Sequence, residues 1–173
     1  MKPAAALPDI FPAEPDRTYA PDQPLAELGF AEQFAVWCLR VQWRMPEEGK
    51  ERPVLLQRAF DALDLPGGAA LVAELAGTLT RTVRRPLSIA CPRWRVLTGD
   101  EVRVLNFIAA LQRQGASPRA ALDPSWMAAP CGASPVWAPA QRFALALSTA
   151  GLTLGNAHAP ASPFPEAMPR VLH

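Results

Sequence analysis

Proline sets the limits of regular structure in this chain. Of the 20 prolines among 173 residues, six lie within residues 1–24 and four within residues 155–173. Proline removes a backbone donor and clashes with the preceding turn of a helix, so both ends are predicted to be extended. We therefore divide the chain into an extended, Pro-rich acidic arm (1–24), a single helical domain (25–154) and a Pro-rich tail (155–173).

Between these ends the apolar residues recur at helical spacing. In the segment over about residues 26–45, the stripe consists of Phe30, Phe34, Trp37, Cys38 and Val41. Comparable stripes predict helices over about residues 52–63, 69–84 and 138–150 and a helix that begins after Thr98. Ser117-Pro118 is typical of the start of a short helix, which would run to about Leu122. The sequence thus predicts an all-α fold, a compact bundle of five to six helices with Pro/Gly-rich connections.

The longest connection, residues 86–97, has no helical periodicity. We expect an extended segment there, with at most one short strand at Leu87–Ala90. The helix that follows has a clear start, because Thr98 and Glu101 have the spacing of a capping box. Acidic residues are also favoured in the first turn of a helix. Capping therefore explains the adjacent Asp100 and Glu101 without a catalytic role.

Composition excludes several classes of protein. The chain has 17 basic and 16 acidic residues, for a net charge of +1, and half of its residues are apolar. Such a chain is too apolar to be wholly disordered, and no apolar run approaches the roughly 18 residues of a membrane helix. Fifteen of the basic residues are Arg and two are Lys. This bias is typical of a GC-rich, bacterial-like composition, so the Arg excess does not itself indicate phosphate binding.

Neither cysteine nor histidine forms a recognisable site. The three cysteines are Cys38, Cys91 and Cys131, and their spacing fits no zinc motif. The two histidines, His158 and His173, both lie in the tail. We assign no catalytic, cofactor-binding or metal-ligating residue, and expect no cofactor. The N-terminus has no apolar core of a signal peptide, so we expect reduced thiols and a cytoplasmic protein.

Cys91 is the one candidate reactive thiol. It lies in the irregular segment beside Arg93 and Arg95, whose charges favour a thiolate. Cys38, in contrast, lies on the apolar stripe of the first helix and is expected to be a buried small hydrophobe.

The sharpest local feature is a basic patch between two acids, Glu74 and Asp100. Five arginines and no acid fall between them, giving a local charge of +5. With an interleaved tryptophan, the patch comprises Arg81, Arg84, Arg85, Arg93, Trp94 and Arg95. Arginine beside an aromatic ring suits single-stranded nucleic acid or an acidic peptide. Equally, cations stabilise the C-terminal end of a helix, and their stems cover apolar surface.

Two classes of function follow as expectations. The first is a non-enzymatic helical interaction or regulatory domain that binds a protein partner or itself. The alternative is a nucleic-acid-associated regulator that uses the basic patch Arg81–Arg95. An enzyme would need a cofactor to supply its chemistry, and the sequence shows no site for one. A membrane partner is not expected, and the oligomeric state is left open.

Overall fold

The computed structural model describes residues 19–44, 51–113 and 135–155. These ranges contain five α-helices: α1 (Phe30–Arg44), α2 (Glu51–Asp61), α3 (Gly68–Thr82), α4 (Gly99–Gln112) and α5 (Trp137–Thr149). No strand occurs within these ranges, so the predicted all-α class is confirmed. The predicted helix Ser117–Leu122 lies outside the described residues, as do Cys131, His158 and His173. Within the same ranges, none of the helices combines the length and apolar character needed to cross a membrane.

The helices begin and end close to the predicted breakers. The first helix was expected from about residue 26, but Leu25–Glu27 forms a separate 3-10 turn. Leu28 is extended there (φ −88°, ψ 152°), which interrupts the helix, and α1 begins at Phe30. At the other end of the domain, Gly151 has a φ of +74° directly after α5. This is the left-handed conformation that glycine adopts most readily, as predicted for a helix C-terminus.

The core forms where α1, α2 and α5 bring three phenylalanine rings together. Phe60 of α2 meets Phe34 of α1 edge-on at a centroid distance of 5.2 Å, and Phe143 of α5 at 6.5 Å. Phe60 and Phe143 are completely buried. At the start of α3, Gly68 lies against the Phe60 ring so closely that a Cβ atom there would overlap it. The glycine therefore both opens α3 and lets α2 and α3 approach each other.

The anticipated short strand at Leu87–Ala90 is not formed. Residues 87–90 form no regular secondary structure, and two of their backbone donors bond to side chains instead of to a neighbouring strand. Ser88 donates its N–H to Asp100 (2.7 Å) and Ala90 donates its N–H to Glu101 (3.0 Å). A strand needs a partner edge for its backbone groups, and the two carboxylates at the start of α4 take that place.

The residues just before α1 pack against the domain. Asp22 donates its N–H to the carbonyl of Leu97 (2.9 Å), and Leu25 donates to that of Arg95 (2.8 Å). Further back, the buried Tyr19 hydroxyl donates to the Glu32 carboxylate (3.0 Å). Burial, and then the charge of Glu32, raise the pKa of Tyr19. The segment 19–24, which the sequence assigned to the arm, thus covers part of the core.

The capping box at α4 is present as predicted. Thr98 Oγ1 accepts a hydrogen bond from the backbone of Glu101 (3.2 Å), and the Glu101 carboxylate accepts one from the backbone of Thr98 (2.9 Å). The same hydroxyl donates to the carbonyl of Ser88 (2.5 Å). The side chain of Thr98 therefore joins the helix cap to the preceding connection.

Substitution of Thr98 tests this cap. We expect Thr98→Ala to lower the free energy of unfolding by about 1 kcal/mol, because an N–H in the first turn loses its acceptor. Urea denaturation of the full chain measures the change. Thr98→Ser keeps the hydroxyl and serves as the control, with most of the stability retained. Equal losses in the two variants would contradict a capping role for the hydroxyl.

Candidate functional site

The most distinctive surface feature is a tight turn in the connection between α3 and α4. Trp94 donates its N–H to the carbonyl of Cys91 (3.0 Å), with Pro92 in the second position. Proline favours this position because its fixed φ matches the turn. We call residues 91–95 the Cys91–Arg95 turn. Its side chains at Cys91, Arg93, Trp94 and Arg95 are exposed, and Trp94 retains 56% of its surface.

A buried arginine of α1 forms hydrogen bonds to the backbone of this turn and of the residue that follows it. Arg40 is 1% exposed and Glu101 of α4 is fully buried. The Arg40 guanidinium donates to both carboxylate oxygens of Glu101, at 2.8 Å each. It also donates to the carbonyl of Val96 (2.7 Å) and to that of Trp94. One side chain thus connects two helices and the backbone of the turn.

The Glu101 carboxylate accepts four hydrogen bonds in this arrangement. Besides the two bonds from Arg40, it accepts backbone N–H groups from Ala90 and Thr98. Burying an ion pair costs desolvation energy that is offset only when the remaining hydrogen-bonding positions are filled. The donors on this carboxylate come from α1, from the connection and from the start of α4. The carboxylate therefore fixes the positions of all three relative to one another.

Two further contacts tie the rest of the connection to the bundle. Arg44, one turn beyond Arg40 on α1, donates through Nε to the carbonyl of Ile89 (2.7 Å). The Ile89 side chain is itself buried, at 1% exposure. The residues leading into the Cys91–Arg95 turn are thus fixed by both backbone hydrogen bonds and apolar packing.

Asp100 anchors the other end of the basic patch. It is 2% exposed and forms a two-pronged ion pair with Arg85 (2.7 and 2.8 Å), with a further bond from Arg103 (2.8 Å). Burial alone acts to raise the pKa of Asp100. The hydrogen bonds from Arg85 and Ser88, together with the charge of Arg85 and the bond from Arg103, outweigh it and hold the pKa below its ordinary value. Asp100 is therefore a structural anion at neutral pH.

The residues of the predicted basic patch do not all have the same structural role. All six residues, Arg81, Arg84, Arg85, Arg93, Trp94 and Arg95, have exposed side chains. Arg85 is engaged by Asp100, however, and this ion pair links the end of α3 to the start of α4. Arg93, Trp94 and Arg95 belong to the Cys91–Arg95 turn. The turn is therefore the part of the patch that combines cations with an exposed aromatic ring on a fixed backbone.

Sequence patterns did not identify the two buried residues that support the turn. Arg40 was not singled out, and Glu101 was assigned to capping alone. The hydrogen bond between them spans 61 residues of sequence, which no local spacing encodes. One signal was available: α1 carries apolar residues around most of its circumference, as its buried Ala35, Val36 and Leu39 show. A charged residue in such a helix is a candidate for burial.

The two described cysteines differ in accessibility. Cys38 is buried and Cys91 is exposed, and both are free thiols. Burial raises the pKa of Cys38 well above its ordinary value. Of the two, Cys91 is thus the thiol that a reagent in solution reaches, consistent with its selection as the candidate reactive thiol.

This difference predicts selective labelling. In a Cys131→Ser background at pH 8, we expect Ellman's reagent to modify Cys91 in the native protein and Cys38 only after unfolding in urea. The reason is that a buried thiol is neither accessible nor ionised. A matched Cys91→Ser variant, also lacking Cys131, should show no rapid reaction. Rapid native labelling of that variant would contradict the burial of Cys38.

The described residues contain no group of three or more metal-ligating side chains in one place. Comparisons with protein-family models, curated proteins and solved structures found no match to this chain.

Proposed function

We propose that this protein is a non-enzymatic interaction domain that binds an acidic segment of a protein partner through the Cys91–Arg95 turn. The observation that carries the proposal is the combination of a half-exposed Trp94 with a backbone held by buried groups. Arg40 bonds the carbonyl of Trp94 itself, and Glu101 bonds the N–H of Ala90 just before the turn.

The exposed indole favours protein recognition. Tryptophan and arginine are the residues most enriched among the energetically dominant contacts of protein interfaces. Here Trp94 lies between Arg93 and Arg95, so an apolar anchor is flanked by two cations. A partner with a complementary apolar pocket and adjacent carboxylates fits this chemistry, because opposite charges improve both specificity and association rate.

The fixed backbone adds a second argument. Binding orders flexible segments at a cost in free energy, so a turn that is already formed retains more of its contact energy as affinity. The donors and acceptors beneath this turn are buried side chains of α1 and α4. The turn is therefore placed on a rigid support, as functional loops commonly are.

The nucleic-acid alternative has one observation in its favour, namely that all five arginines of the patch are exposed. This alternative is weakened because Arg85 already forms an ion pair with Asp100.

The ion pair between Arg85 and Asp100 also determines which arginines can be substituted in a test. Charge reversal at Arg85 would place a new carboxylate beside Asp100 and destabilise the fold, so Arg93 and Arg95 are the better positions for substitution.

The experiment is a selection of peptides from a random display library on the full-length protein. We expect the selected peptides to be rich in Asp and Glu beside an apolar residue. Measured individually by fluorescence anisotropy, they should lose at least about tenfold in affinity on Trp94→Ala, the effect of removing a dominant interface contact. Leu145→Ala, at a residue 68% exposed on α5, is the control and should leave binding unchanged.

The same assay with labelled random DNA and RNA separates the two functions. Peptide binding that is equal in wild type and Trp94→Ala would overturn the proposal. So would tight nucleic-acid binding that collapses with salt and is lost in the Arg93→Gln/Arg95→Gln variant, because that result would favour the alternative. Arg58→Gln/Arg113→Gln, a pair of exposed substitutions outside the patch, controls for the loss of two positive charges.

A further inference from the structure

Residues 19–28, which lead into α1, lie along the backbone at the end of the Cys91–Arg95 turn. We call them the N-terminal strap. Leu25 of the strap donates its N–H to the carbonyl of Arg95 (2.8 Å), and Asp22 donates to that of Leu97 (2.9 Å). The strap therefore holds two carbonyls of the segment that leads out of the turn.

These bonds add to the support that Arg40 provides. Arg40 donates to the carbonyls of Trp94 and Val96. The strap donates to those of Arg95 and Leu97. Four successive carbonyls are thus bonded alternately by a buried side chain and by the strap. Opening of the strap would remove two of these four bonds.

A buried carboxylate fastens the first residue of the strap. The Tyr19 hydroxyl donates to Glu32 Oε1 (3.0 Å), and Gly155, which follows α5, donates its N–H to the same oxygen (2.9 Å). Tyr19 is 6% exposed and Glu32 is 4% exposed. Hydrogen bonds to a charged group are stronger than those between neutral groups. We therefore expect the bond from Tyr19 to Glu32 to act as the latch of the strap.

The middle of the strap is less firmly attached than its ends. Its buried residues are Tyr19 and Leu28, the first and the last. Asp22 has a φ of +62°, a conformation that costs free energy in a residue with a Cβ atom. Segments with few buried apolar contacts open at a lower free energy than the core does. Six of the ten residues of the strap are exposed, namely Ala20, Pro21, Asp22, Pro24, Ala26 and Glu27.

We propose that the N-terminal strap opens and closes as a unit, and that its closure keeps the Cys91–Arg95 turn in the shape that binds the partner. When the bond from Tyr19 to Glu32 breaks, the strap releases the carbonyls of Arg95 and Leu97, and the turn loses its order. The effect on the partner rests on the proposed function, whereas the coupling of strap and turn does not.

Amide hydrogen exchange in the full-length protein tests this coupling. In the wild type, the amides of Leu25, Leu97 and Trp94 should share one degree of protection, lower than that of Leu105 in the middle of α4. Tyr19→Phe removes only the hydroxyl of the latch. We expect this variant to speed exchange at all three amides by at least about tenfold, the effect of one lost hydrogen bond to a charged group.

Glu27→Gln is the matched control, because it changes an exposed side chain of the same strap. It should leave the three amides unchanged. The proposal is overturned if Tyr19→Phe also leaves them unchanged, or if it speeds exchange at Leu25 and Leu97 but not at Trp94. It is equally overturned if the three amides are as well protected as α4 in the wild type, since the strap would then not open separately.

Peptide binding tests the consequence for the partner. An acidic peptide from the display selection, added at a hundred times its Kd, should slow exchange at Leu25 about 100-fold, because a ligand that binds only the closed form favours that form. In Trp94→Ala, the same peptide concentration should slow it about tenfold less. A peptide that binds without slowing exchange at Leu25 would refute the effect of the strap on binding. If no such peptide is selected, the proposed function fails, and the result for Tyr19→Phe still decides whether strap and turn are coupled.

Discussion

Replacing Arg40 by Met should lower the free energy of unfolding by about 3–5 kcal/mol, the usual effect of removing one partner of a buried ion pair. The Glu101 carboxylate would remain fully buried without its guanidinium. The carbonyls of Trp94 and Val96 would lose the same donor. Methionine has a similar volume and an unbranched apolar side chain, so the loss reports the hydrogen bonds and the charge more than the volume. Denaturant unfolding measures it.

The control is a double-mutant cycle with Glu101→Met. We expect the double variant to be more stable than the sum of the two single losses implies, since it leaves neither charge alone in the interior. Arg40→Lys should also be destabilised, because an ammonium cannot reproduce the planar, multiply donating guanidinium. Strictly additive losses in the cycle would show that Arg40 and Glu101 do not act as a pair.

Phe60→Ala should destabilise the protein by about 3–5 kcal/mol, through lost transfer energy and the cavity that remains. Phe60 is fully buried and meets rings on two other helices, α1 and α5. Its edge-on contacts with Phe34 and Phe143 are also lost. Because α3 opens at Gly68 against the same ring, the cavity would lie where four helices meet. Thermal and denaturant unfolding should both report the change.

Val54→Ala, six residues earlier on α2, is the matched control. Val54 is 46% exposed, so its truncation should change the free energy of unfolding by less than about 0.5 kcal/mol. Both variants shorten a side chain on the same helix. Similar losses at the two positions would contradict the orientation of α2 and the placement of the core.

Local patterns predicted the helices well because each signal acts over a few residues. The Thr98–Glu101 capping box fixed the start of α4, and Gly151 marked the end of α5. The stripe on α1 identified Phe34, Cys38 and Val41 as buried, and they are. Its other two members, Phe30 and Trp37, are partly buried against the same core.

The candidate site could be predicted only in part. The turn residues Arg93, Trp94 and Arg95 were visible as an aromatic ring between cations. What supports them was not, because Arg40 and Glu101 are brought together by tertiary packing alone. The capping motif explained Glu101 locally and so concealed its larger role. The capping box explains how Glu101 starts α4, but it does not reveal the ion pair through which Glu101 also connects α4 to α1.

The connection between α3 and α4 was expected to be extended, with at most one short strand at Leu87–Ala90, and no strand forms there. Whether such a segment becomes a strand depends on the nearest available acceptors. Here these are the carboxylates of Asp100 and Glu101, which no pattern within Leu87–Ala90 reveals.

The measurement that tests this account most directly is amide hydrogen exchange at Ala90 and Trp94, followed by NMR in the full-length protein. Both residues lie outside any helix or strand, so they would exchange rapidly in a flexible loop. If the buried groups hold the turn, both amides should exchange at least about 100-fold more slowly than in an unstructured chain. The protection should fall in Arg40→Met. Exchange at unstructured rates in the wild type would contradict a preformed Cys91–Arg95 turn.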